Sequence, residues 1–135
     1  PSERFKAMGV LAAIGICTGV TVMPVLPFIE DNEENIIEIV RKAKDYGAAY
    51  IYPSFGVTLR DRQRDFYYDK LDGLFPGLRH KYEKRFGLRY SCNINNAGIL
   101  VKVFKEECRK YDILAEMPSY EKKISSVQLS LFDSI

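Results

Sequence analysis

Residues 16–26 read ICTGVTVMPVL and residues 48–57 read AAYIYPSFGV, and the stretch between them decides the fold class. Both runs are apolar and rich in β-branched or aromatic residues, the composition of strands rather than helices. The first is nearly continuously apolar, which predicts a strand buried on both faces. Pro24 and Pro27 lack backbone N–H donors, so pairing is expected to stop near them.

The segment between the two runs carries a helix pattern. Asp31 or Asn32 can cap it, and Glu33 and Glu34 stand in its first turn, where the helix dipole favours negative charge. Ile36, Ile37, Val40 and Ala43 recur at the spacing of one helix face, and Gly47 follows as a stop. Strand, helix and strand with short connections form a βα unit, which predicts a parallel sheet.

Outward from this unit the alternation continues for one element on each side. Ser2 can cap a first helix bearing Phe5, Met8, Leu11 and Ala12, with Gly15 placed to end it. On the other side a helix opened by Thr58 carries Leu59, Phe66, Tyr67, Leu71 and Leu74. Then the pattern changes. A short basic helix spans residues 78–86 and ends at Gly87, residues 90–96 (YSCNINN) read as a polar turn region, and a last helix covers about 97–110 with Leu100, Val103, Phe104 and Cys108 on one side. Two strands alone would leave a parallel sheet with open edges and an open face. The expectation is therefore that more sheet comes from elsewhere, either from another chain or from a longer protein of which this is a piece.

Composition sets limits. The chain has 135 residues, the size of one domain, with 47% hydrophobic and 28% charged residues, as in a globular cytoplasmic protein. No apolar run approaches the roughly 20 residues a membrane helix needs. With 20 basic and 18 acidic residues, net charge alone points to no polyanionic partner. Locally the balance is uneven: residues 60–64 (RDRQR) and 79–89 (RHKYEKRFGLR) are basic, with Tyr82, Phe86 and Tyr90 in or beside the second run. Such a run is either a nucleic-acid surface, with aromatics stacking on bases, or a solvated helix face with its aromatics turned inward.

Little ionisable chemistry is visible. His80 is the single histidine, and Cys17, Cys92 and Cys108 are too scattered to read as a metal set. Glu30, Asp31, Glu33 and Glu34 could bind a cation, but their place at a helix start accounts for them. Ligands of parallel α/β proteins bind at the carboxyl ends of strands. Here those ends are residues 23–32 and 52–57, aromatic and proline-rich mouths that either hold a flat ring or are ordinary tight loops.

Specific strings add a resemblance. MPVLPFIEDNEENI (residues 23–36) and IYPSFGVTLRDRQRDFYY (51–68), within longer matching stretches over nearly the whole chain, resemble the C-terminal half of radical S-adenosylmethionine (SAM) proteins of the spore photoproduct lyase, or DNA repair photolyase-like, group. The resemblance implies the C-terminal βα units of a partial TIM-type barrel over residues 1–90 and a mostly helical extension with a terminal tail over 91–135. It also implies a parent enzyme that uses SAM and a [4Fe-4S] cluster for radical hydrogen abstraction, with lyase or nucleic-acid lesion repair chemistry among the expectations. The CxxxCxxC cluster loop of that group is absent here, so this chain by itself is expected to hold no cluster and to catalyse nothing. By strand position, Val22, Pro24, Leu26, Ile51, Tyr52 and Pro53 would lie near SAM. The expected partners are the missing N-terminal half of the barrel, a nucleic-acid substrate and other copies meeting at open strand edges.

The tail holds QLSLF at residues 128–132. It matches the pentapeptide that docks bacterial replication and repair proteins on the DNA sliding clamp, with Gln128 at a pocket rim and Leu129, Leu131 and Phe132 as anchors. The alternative is a tail folded back as a plug on this chain's own core.

Overall fold

The computed structural model describes residues 2–119, and within them the chain is a mixed α/β protein. In order, the elements are α1 (Ser2–Ala13), β1 (Gly19–Val22), α2 (Glu33–Asp45), β2 (Tyr50–Pro53), β3 (Gly56–Thr58), α3 (Asp61–Leu74), α4 (Leu78–Phe86), β4 (Ser91–Asn93) and α5 (Ala97–Lys110). Among the described residues no helix is long and apolar enough to cross a membrane.

The expected parallel pair forms. β1 and β2 run side by side with Gly19 opposite Tyr50, Val20 opposite Ile51, Thr21 opposite Tyr52 and Val22 opposite Pro53. A third segment extends this sheet beyond β2: Ile51 N–H donates to Leu114 O at 2.8 Å and Leu114 N–H to Ala49 O at 3.1 Å, a parallel bridge between Tyr50 and Leu114. Residues past Tyr111 look irregular in sequence, yet they supply this next rung.

Both strands are shorter than their apolar runs. The first covers four residues, and Pro24 and Pro27 leave the remainder as loop, as their missing donors require. The expectation of a first strand buried on both faces fails, because among the described residues helices cover one face only. Val20, Val22 and Ile51 turn toward that side and pack in the main core, while Thr21 and Tyr52 on the other side are exposed.

The second apolar run splits. β2 ends at Pro53, the chain bends, and β3 leaves the parallel sheet to pair antiparallel with β4: Gly56 opposite Asn93, Val57 opposite Cys92 and Thr58 opposite Ser91. The reading of residues 90–96 as a polar turn region is thus corrected. Period-2 alternation is present there, since Cys92 and Ile94 are buried between exposed Ser91, Asn93 and Asn95, but the polar residues of the outer face mask it. α3 starts at Asp61 rather than at Thr58, so Leu59 is a buried loop residue, and Phe66 and Leu74 point to solvent.

Two apolar clusters hold the elements. The first joins α2, α5 and the parallel sheet through Ile36, Val40, Ile51, Leu100 and Phe104, with Phe5 and Met8 of α1 at its margin. Full burial of side chains of this size favours folding by about 1.5–3 kcal/mol each, which explains how two amphipathic helices fix one sheet face. Asn32 is the cap of α2: its side-chain oxygen accepts from Asn35 N–H at 2.8 Å. The second cluster joins α3, α4 and the β3–β4 pair through Leu59, Tyr68, Leu71, Leu78, Tyr82, Phe86 and Cys92.

Candidate functional site

The two strand mouths meet. Past the last rung of the sheet, Ser54 N–H donates to Val22 O and Val25 N–H to Ser54 O, both at 2.9 Å, tying the loop after β1 to the loop after β2. The first loop is latched at its far end as well. Glu30 accepts from Leu26 N–H at 3.2 Å through its carboxylate, and its carbonyl accepts from the Asn35 amide at 3.0 Å. Tyr82 of α4 then reaches across the chain and donates to Pro27 O at 2.8 Å, while the Tyr67 and Tyr82 hydroxyls share a hydrogen bond at 2.9 Å. Phe28 stands edge-on to the Tyr82 ring with centroids 5.5 Å apart. The loop that follows β1 is therefore anchored to the second apolar cluster by named bonds.

Strand alternation separates the six mouth residues. Ile51 is 0% exposed and lies in the first core, whereas Tyr52 beside it is 48% exposed on the open face. Val22, Leu26 and Pro53 are half-buried, and Pro24 is exposed after a cis Met23–Pro24 bond. What remains on the open side is a flat surface: Thr21 and Tyr52 in register, with the Tyr50 ring lying over Gly19. Such a surface can receive the face of a planar ring. The polar groups of these residues are the hydroxyls of Thr21, Tyr50 and Tyr52, with no carboxylate, imidazole or thiol among them.

The cysteines do not come together. Cys17 is exposed, Cys92 belongs to the second apolar cluster and Cys108 to the first. Three thiolates of a cluster must converge on one point, so this chain's cysteines do not fit an iron–sulfur site. Among the described residues no group of three or more His, Cys, Asp or Glu is placed to hold a metal ion. The acidic residues around Glu30 act in the latch and helix start described above, and His80 is exposed.

Burial gives these thiols and phenols a common property. It pushes Cys108 up from 9.0 to about 11 and raises Cys92, Tyr67 and Tyr82 above their ordinary values. A raised folded value means the native state binds more protons than the unfolded chain at alkaline pH. Stability from these groups is full below the ordinary thiol value and declines as pH rises from 9.0 towards 11. The urea midpoint is expected to fall between about pH 9 and about pH 11, and Cys108→Val to flatten that fall; an unchanged slope in the variant would contradict the assignment.

The basic run resolves toward the inward reading. Tyr82 and Phe86 are buried, so neither can stack on a base, and Tyr90 alone of the three is half-exposed, at 50%. The hydrogen bond to Arg60 holds the Tyr90 phenol below its usual range. On α4, Arg79 is neutralised by Asp72 at 3.0 Å and Glu83 at 2.8 Å. Arg85 instead stacks on Phe86, its guanidinium 5.2 Å from the ring centre, and with Arg89 it borders an open cavity of about 330 Å³.

Arg64 is the residue that sequence reasoning misplaced. It reads as one of four charges in RDRQR, yet it is 7% exposed and donates to four backbone carbonyls: Leu59 (3.1 Å), Gly87 (2.8 Å), Leu88 (3.1 Å) and Arg89 (2.7 Å). The signal was available in its spacing. Arg64, Tyr68 and Leu71 stand at i, i+4 and i+7, the inner stripe of α3, and all three are buried. Tail residues Gln128, Leu129, Leu131 and Phe132 lie outside the described residues.

No family model, curated protein or solved structure matches this chain.

Proposed function

We propose that this chain forms the later part of a radical SAM barrel and gives it wall strands and a ring-receiving surface rather than reactive groups. The observation that carries the proposal is the strand order. β1, β2 and the rung at Leu114 follow one another in chain order, all parallel, with α2 and α5 packed together outside them. Neighbouring parallel strands with helices on one side are the repeating wall of a (β/α) barrel. In that reading the open face with Thr21, Tyr50 and Tyr52 lines the interior. The strings MPVLPFIEDNEENI and IYPSFGV, which carry the resemblance to this group, supply the two mouths at its rim.

The cofactor pair, when bound, supplies a carbon radical that abstracts hydrogen. The residues of this chain orient and shield. Tyr52 offers its ring face, Pro24 and Leu26 close the rim, and the Ser54 and Glu30 hydrogen bonds keep both loops in place. The cysteines that hold the cluster belong, in this reading, to a CxxxCxxC loop ahead of this sequence.

Reconstitution tests it. The longer protein with such a loop, loaded with iron and sulfide, is expected to release 5′-deoxyadenosine from SAM, and Tyr52→Ala to raise KM for SAM by about tenfold, a loss of one stacked ring contact. A parent protein lacking the CxxxCxxC loop overturns the proposal.

A further inference from the structure

Beside the turn that joins α4 to β4 the chain builds a second recess, and we infer that it binds a phosphate group through Arg85, Arg89, Ser91 and Asn93. This inference does not rest on the barrel reading. The recess has a volume of about 330 Å³ and is lined by these four residues with Phe86 and Ile94 as its floor. That volume is at the lower end of the roughly 300–1,000 Å³ of small-molecule sites.

Charge is the first argument. Among the described residues neither Arg85 nor Arg89 forms an ion pair, and no carboxylate lines the recess. Arg79, one turn and a half away on the same helix, shows what a structural arginine looks like here: two carboxylates take its donors. Stacking on Phe86 steadies Arg85 without consuming its N–H groups. A guanidinium held in this way presents a fork that matches two phosphate oxygens.

Pre-organisation is the second argument. Arg64 grips the carbonyls of Gly87, Leu88 and Arg89, so the turn that carries Arg89 is tied to a buried cation. Strand alternation then sets Ser91 and Asn93 on the outer side of β4 while Cys92 is buried behind them. Two arginines, one serine and one asparagine line a single concavity. A phosphate, with its several acceptor oxygens, uses all four.

The phosphate can be free or carried on a nucleic-acid strand, and the experiment separates these. The full 135-residue chain, labelled with 15N, is titrated with inorganic phosphate, with sodium chloride at equal ionic strength, and with a short oligothymidylate. Phosphate is expected to shift the amides of Arg89, Ser91 and Asn93 where chloride does not. Arg85→Gln and Arg89→Gln should each weaken binding by about tenfold, and Arg79→Gln by less than about twofold, since one fork lost is worth roughly that factor. If the oligothymidylate moves the same amides at lower phosphate-equivalent concentration, a strand is the source; if it needs as much or more, free phosphate is. Equal shifts with chloride, or equal weakening by Arg79→Gln, mean a diffuse basic surface and overturn the site.

Discussion

Arg64→Met is expected to destabilise the chain by about 3 kcal/mol, measured as the loss in unfolding free energy in urea. The methionine fills a similar volume but donates nothing, so the carbonyls of Leu59, Gly87, Leu88 and Arg89 lose their shared cation. Hydrogen bonds from a charged donor contribute about 1.5–3 kcal/mol each, and these four contacts, three of which share the two N–H groups of Nη2, would still suggest a larger loss. Two facts reduce it. Burying a guanidinium with no carboxylate beside it already costs several kcal/mol, which the variant recovers. The carbonyls at residues 87–89 belong to an exposed turn and can rotate toward water, whereas Leu59 is buried and cannot. Arg64→Lys keeps the charge on a compact ammonium that cannot span carbonyls on two separate segments, so it should restore less than half of the loss. A loss below about 1 kcal/mol in Arg64→Met would show that these four bonds are incidental to stability.

The same arginine shows where sequence reasoning reached and where it stopped. Helices α2 and α5 were legible with their buried residues, because Ile36, Val40 and Ala43, and Leu100, Phe104 and Cys108, each form an unbroken stripe at helical spacing. The parallel β1–β2 pair was legible from the switch of period on either side of α2. The antiparallel β3–β4 pair was not. Its strands are three residues long, too short for alternation to stand out, and their partners are more than 30 positions apart in sequence. Long-range pairing of this kind is fixed by the tertiary core, here Val57 and Cys92 against the second cluster, and local propensity says nothing of it. Sequence position placed the six strand-mouth residues at and beyond the ends of β1 and β2, but it could not say that pleating sends Ile51 to the core and Tyr52 to the open face. The recess at Arg85 and Arg89 was invisible for a related reason. A string of charges does not reveal which are neutralised by neighbours, and Arg79 and Arg85 look alike until Asp72 and Glu83 are placed.

Gly56→Ala is the substitution expected to cost most along β3, about 3–4 kcal/mol, and it should damage the phosphate recess with the fold. Gly56 has φ of +147°, a region that side-chain-bearing residues rarely adopt. Such a conformation alone costs a non-glycine residue about 1–3 kcal/mol. Space is also missing. A Cβ at Gly56 would lie 2.8 Å from Cys92 O and 2.9 Å from Asn93 Cα, backbone atoms of the paired strand, and 2.8 Å from the Asn93 side-chain oxygen. A flexible side chain could swing aside, but the β4 backbone can retreat only by stretching its ladder to β3. That retreat shifts Ser91 and Asn93, so the Gly56→Ala protein, where still folded, should bind phosphate more weakly even though no binding residue has changed. Gly73 provides the comparison. It sits in α3 with open space where an added methyl would stand, and Gly73→Ala should raise stability by about 0.5–1 kcal/mol through helix propensity. Urea unfolding of both variants, with phosphate titration at a concentration of urea where each is folded, reads the two effects separately. Equal stabilities for the two alanine variants would mean that the β3–β4 pair yields freely, and the recess would then lack the rigid edge that sets Ser91 and Asn93 beside the arginines.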